Sequence, residues 1–71
     1  MNKNELLKQF GKNVKIERIK QDLTQEQLGE IMDKSINYIS NIENGKQNMS
    51  LGKVLELANY LNTDINNLLK F

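Results

Sequence analysis

Neither histidine nor cysteine occurs among the 71 residues, and the nine carboxylates are scattered along the chain. That removes thiolate chemistry, disulfides and the commonest metal ligands, and leaves no catalytic constellation and no cofactor site to assign. What remains able to do directed chemistry is a set of amide and hydroxyl side chains between Thr24 and Asn48. Asn37 and Asn41 are four residues apart, so a helix places them on one face. A carboxamide carries a donor and an acceptor in one plane, and so matches any flat edge that offers the complementary pair.

Those amides need rigid carriers, and the stretch Leu23 to Gly45 supplies two. Thr24-Gln25-Glu26-Gln27 has the form of a capping box, in which Thr24 satisfies the Gln27 amide and the Gln27 side chain reaches back to Thr24. A helix therefore starts at residue 24, and Leu28, Ile31 and Met32 give it one narrow apolar face. Asp33-Lys34-Ser35 breaks the pattern with turn-forming residues. Ser35 is the expected N-cap of a second helix. In that helix Ile39 and Ile42 point one way, and Asn37, Tyr38, Asn41 and Asn44 lie on the other sides. Gly45 follows as the stop, where a left-handed residue is wanted.

Two short capped helices with a tight turn resemble a helix-turn-helix. In order and spacing, LTQEQLG, YISNIENGK and SLGKVLELANYLNTDINNLL resemble the phage repressor and Cro type of helix-turn-helix domain, the XRE family, over roughly residues 10 to 70. The resemblance implies an all-α, compact five-helix lambda-repressor-like domain, with the motif at helices 2 and 3 (residues 24–44) and the chain 1–71 forming one unit. It implies double-stranded DNA as partner. Base edges in the major groove would be met by Ile36, Asn37, Tyr38 and Asn41. Asn bonds bidentately to adenine, and an apolar side chain packs on a thymine methyl. The backbone would be met by Thr24, Gln25, Lys34, Ser35, Asn44, Lys46 and Gln47. Arg18, the only arginine, is expected to pair with Glu43 as a scaffold contact that a planar guanidinium makes bidentately. Three positions depart from the family pattern: Gly29 stands where Ala is usual, Asp33 where the turn usually has Gly, and Met49 where Pro is common. A small residue at 29 suits closely crossing helices, and Asp tolerates the left-handed region better than most residues.

Around the motif, residues 5 to 21 read as a first helix with Leu6, Phe10, Val14 and Leu7 inward. Ile16 and Ile19 do not both fit that stripe, and Gly11 is expected to weaken the helix by about 1 kcal/mol. Ser50 should cap a fourth helix running to about residue 61, with Leu51, Val54, Leu55, Ala58 and Leu61 as its core stripe. Asp64 should cap a last short helix containing Ile65, Leu68 and Leu69. Phe71 leaves an apolar C-terminus, either folded back or used between two copies.

A formal net charge of +1 gives no global attraction to nucleic acid, so non-specific binding should be weak. Phosphate contacts would instead come from helix N-termini and neutral amides. There is no run long enough to cross a bilayer and no signal-peptide core, so a cytoplasmic protein is expected. The expectation is a repressor-like regulator acting as a homodimer. The rival reading is an antitoxin-type module that holds a toxin through helix 1 or the apolar C-terminus.

Overall fold

In the computed structural model, which describes residues 1–71, the chain forms five helices: α1 (Lys3–Lys20), α2 (Gln25–Met32), α3 (Ile36–Glu43), α4 (Leu51–Tyr60) and α5 (Ile65–Leu68). Each begins at a polar cap. Asn2, Thr24, Ser35, Ser50 and Asp64 accept from backbone amides of their first turns, which satisfies donors that the helix leaves without a partner. The Asn2 cap explains why α1 starts earlier than residue 5.

The first four helices close in the same way. Behind each, a residue in the left-handed region turns the chain: Asp22, Asp33, Gly45 and Asn62, with φ between 54° and 75°. Paired bonds accompany each one, such as Gly45 N–H to the Ile42 carbonyl at 3.1 Å and Lys46 N–H to the Asn41 carbonyl at 2.8 Å. This is the Schellman arrangement. Asp and Asn serve at three of these four ends because their short polar side chains lower the cost of positive φ.

α1 and α2 both pack against α3, while α5 bridges α1 and α4. Phe10, Val14, Leu28, Ile39, Ile42, Val54, Leu57, Ala58, Leu61 and Leu68 form one buried core. In α4 the buried stripe is Val54, Leu57, Ala58 and Leu61, a clean i, i+3, i+4, i+7 series. The stripe expected from sequence was therefore drawn one sector off: Leu51 and Leu55 are 73% and 49% exposed, and Leu57 is fully buried. In α2, Leu28 enters the core and Met32 packs at its edge, while Ile31 faces solvent. In α1, Leu6, Ile16 and Ile19 are all exposed. The inward face of its second half combines the apolar Val14 with the polar Asn13, Glu17 and Arg18.

Those three polar residues are each bonded to another part of the fold. Asn13 Nδ2 donates to the Leu68 and Lys70 carbonyls at 3.0 and 2.9 Å. The Thr63 hydroxyl donates to Glu17 Oε1 at 2.8 Å. Together these bonds hold the C-terminal turn on α1. Burial pushes the Glu17 carboxyl up, but the Thr63 hydrogen bond, the hydrogen bond and charge of Lys20 and the charge of Lys70 outweigh it and hold it below the usual glutamate range.

Candidate nucleic-acid interface

The position of α3 is set from behind by one charged cluster. Arg18 Nε and Nη2 donate to Glu43 Oε2 and Oε1 at 2.7 and 3.0 Å, and Arg18 Nη1 donates to the Leu23 carbonyl at 2.7 Å. Both side chains are nearly dry, at 10% and 2% exposure. Gln25, in the first turn of α2, donates from Nε2 to Glu43 Oε1 at 3.1 Å. The Glu43 carboxylate at the end of α3 thus ties that helix to α1 and to the start of α2, and Arg18 carries the link on to the α1–α2 loop.

Gly11 acts in the same place. A Cβ there would lie 2.4 Å from the Glu43 carbonyl oxygen and 2.5 Å from that of Ile42. α1 and α3 touch backbone to backbone at this point, and only glycine allows it. Gly29 is the equivalent contact inside the motif, where a Cβ would sit 2.7 Å from the Lys34 carbonyl oxygen. The close approach therefore runs to the turn itself, and it excludes the alanine that the family usually carries unless the turn shifts.

The capping box is complete: Gln27 N–H reaches Thr24 Oγ1 at 3.0 Å, and Thr24 N–H reaches Gln27 Oε1 at 2.9 Å. Asp33 then turns the chain at φ 56°, ψ 46°. Ser35 Oγ accepts from the Tyr38 amide at 3.1 Å and starts α3. With Ile39 and Ile42 in the core, the opposite face of α3 presents Asn37 and Asn41 to solvent, and Ile36 is 49% exposed. Tyr38 is half-buried against the core, and the Lys34 ammonium stands 5.4 Å from its ring centroid. The Tyr38 side chain therefore lies on the flank of α3, lining the groove shared with α4.

Thr24, Lys34, Ser35, Asn44 and Lys46 are exposed, and Gln25 and Gln47 are half-buried. Asn44 Nδ2 donates to Ser40 Oγ at 3.2 Å, and Gln47 Nε2 to the Asn48 carbonyl at 3.3 Å. Residues 24–25, 34–38, 41 and 44–47 thus come from the start of α2, the turn and the outer face of α3, and the loop after it. The sequence gives no sign of the Gly11 contact with α3, of the Asn13 bonds to the C-terminal turn or of the Glu17–Thr63 bond. Gly11 was legible only as a local helix cost. Asn13 lies three residues after Phe10, on the inward stripe, and that spacing was the available signal of its burial.

A rigid helix pair with an exposed amide face on its second member defines a helix-turn-helix domain. The helix-turn-helix family model matches residues 14–68, and the chain belongs to that family, in its phage repressor and Cro (XRE) branch. Among solved structures, the restriction-modification controller protein C.AhdI from Aeromonas hydrophila is 28% identical, with a TM-score of 0.85 over 96% of this chain and 99% of that one. The DNA-binding domain of BldD superposes with a TM-score of 0.88 at 22% identity, covering 99% of this chain and 100% of that one. The clp gene regulator ClgR from C. glutamicum gives 0.82 at 22% identity, over 90% and 83%. A search among curated proteins gives no match. No helix is long and apolar enough to cross a membrane. Fold and family make this a DNA-binding transcription regulator.

Proposed function

We propose that the chain is a sequence-specific regulator that reads an operator by placing α3 in the major groove. The observation that carries this reading is the exposed Asn37–Asn41 face on a helix whose core side is locked by Arg18, Glu43 and Gly11. Asn37 and Asn41 take base edges, with adenine N6 and N7 the matched pair, and Ile36 packs on a thymine methyl. Tyr38 extends that reading at the flank. Thr24, Gln25, Lys34, Ser35, Asn44, Lys46 and Gln47 take phosphates on either side. Gln25 keeps one amide hydrogen for a phosphate while the other holds Glu43.

The regulator acts as a homodimer on two half-sites about one helical turn apart. Support for a second copy comes from an apolar groove lined by Leu6, Leu7, Leu51, Leu69 and Phe71, in which Leu51 and Phe71 are 73% and 58% exposed. By binding near a promoter, the dimer acts through occupancy, excluding or recruiting polymerase.

Selection of bound duplexes from a randomised pool, at moderate salt, tests the reading. Enrichment of an inverted repeat is expected, and Asn37→Ala with Asn41→Ala should abolish binding to it while the fold is kept. A double variant that binds the selected site unchanged would sink the site assignment. Absence of enrichment from folded protein would favour a protein-binding module, such as an antitoxin.

A further inference from the structure

Both tyrosines of the chain and two of its three methionines line one groove of about 500 Å³ between the turn after α2 and the outer side of α4. Its volume falls within the range of small-molecule sites. Met32, Tyr38, Met49 and Tyr60 form the apolar walls, and Lys34 and Lys53 bring ammonium groups to the same space. Glu56 is the one carboxylate in the lining. The salt bridges of the fold are Arg18–Glu43 and Lys20–Glu17, so neither groove lysine is paired with a carboxylate.

Two ammonium groups against one carboxylate leave one positive charge uncompensated. The Lys34 ammonium stands 5.4 Å from the Tyr38 ring centroid, so cation and aromatic surface are presented side by side. Methionine walls adapt to a flat ring at little cost. We propose that this groove is a binding site for a small aromatic monoanion, with its ring between the tyrosines and methionines and its acid group on Lys34 and Lys53. Lys34 and Tyr38 also belong to the DNA face proposed above. On that reading, the anion and the operator compete, and the site is an effector site.

The test is a titration of the full chain with 2-naphthoate, followed by NMR of backbone amides and methionine methyls. Saturable shifts are expected at Met32, Tyr38, Met49 and Tyr60, with a Kd of about 1 mM or tighter for a probe of roughly thirteen heavy atoms. The neutral analogue 2-naphthylmethanol should bind at least about tenfold more weakly, which corresponds to losing one charge-assisted contact. Lys34→Gln combined with Lys53→Gln should lose a similar factor; both residues are exposed, so the fold is not at risk. Equal binding of acid and alcohol would overturn the proposal, as would shifts confined to the Leu6 and Phe71 groove. Addition of the selected duplex should release the naphthoate. Retention beside bound duplex would overturn the competition. The titration without DNA decides the site even if the operator reading fails.

Discussion

Glu43 receives Arg18 through both carboxylate oxygens, at 2.7 and 3.0 Å, in a setting where the two side chains are 2% and 10% exposed. Breaking such a pair leaves the remaining charge without compensation, which costs about 3–5 kcal/mol. Arg18→Met should therefore lower unfolding free energy by that amount in urea titration, and Glu43→Ala by a similar amount. A loss below about 1 kcal/mol would show that the pair behaves as a solvated surface bridge. The double variant Arg18→Met, Glu43→Leu should recover much of the loss, because two apolar side chains leave no buried charge. Its DNA affinity should nevertheless stay low, because Gln25 loses the carboxylate that holds it.

The glycines at 11 and 52 should respond to alanine with opposite sign. Both lie inside helices, and on propensity alone alanine would stabilise each by up to about 1 kcal/mol. At Gly52 the nearest foreign atom to a new Cβ is Ser50 Oγ at 3.9 Å, so the propensity gain should appear in full. At Gly11 the new carbon would enter the Ile42 and Glu43 carbonyls, and overpacking of about 1–3 kcal/mol should outweigh the gain. Thermal unfolding of the two single variants checks this. A stabilised Gly11→Ala protein would mean that α1 and α3 can part without strain.

What the sequence made legible divides along the same line. Thr24, Ser35, Ser50 and Asp64 could be named as caps because a cap is settled within four residues. Asp33 and Gly45 could be placed in the left-handed region for the same reason. The α4 stripe was harder: Leu51, Leu55 and Leu57 are equally apolar, and the choice among them depends on where α5 and α2 lie. Gly11 is legible in the sequence only as a local helix cost, because that cost is visible there and its contact with α3 is not. On α1, Ile16 and Ile19 do not both fit the apolar stripe, and both prove exposed, while Asn13, Glu17 and Arg18 take the inward side beside Val14. Arg18 could be paired with Glu43 through the family resemblance, whereas the partners of Asn13 and Glu17, at Leu68 and Thr63, emerge only with the fold in place.

Glu17 should give the domain an acid-sensitive component. Its carboxyl is held below the usual glutamate range in the folded chain, so folding favours the ionised form. The stabilisation is fully present above the unfolded value of about 4.3 and is lost as pH falls through the lower folded value. Urea titrations of the parent and of Glu17→Gln should therefore differ most near neutral pH, and the difference should shrink towards about pH 3. A gap between the two proteins that stays constant with pH would place the effect of Glu17 in packing, not in ionisation.

On the proposed reading, substitution of Lys46 should separate contacts that hold DNA from contacts that read it. Lys46 is exposed in the loop just after α3, and its amide closes the helix on the Asn41 carbonyl at 2.8 Å. The backbone fixes the start of this side chain while its ammonium remains free to meet a phosphate. Neutralising one phosphate contributes about 0.9 to the slope of log affinity against log salt. Lys46→Gln should lower that slope by about one unit and weaken the selected operator and its single-base variants by the same factor. Asn41→Ala should do the opposite, leaving the slope nearly unchanged while reducing discrimination at one base pair by about 1–3 kcal/mol. Fluorescence anisotropy at four or five salt concentrations, on the operator and one point variant, distinguishes the two patterns. If Lys46→Gln changed base preference instead of slope, the loop after α3 would have to be moved from the phosphate side of the interface to the base side.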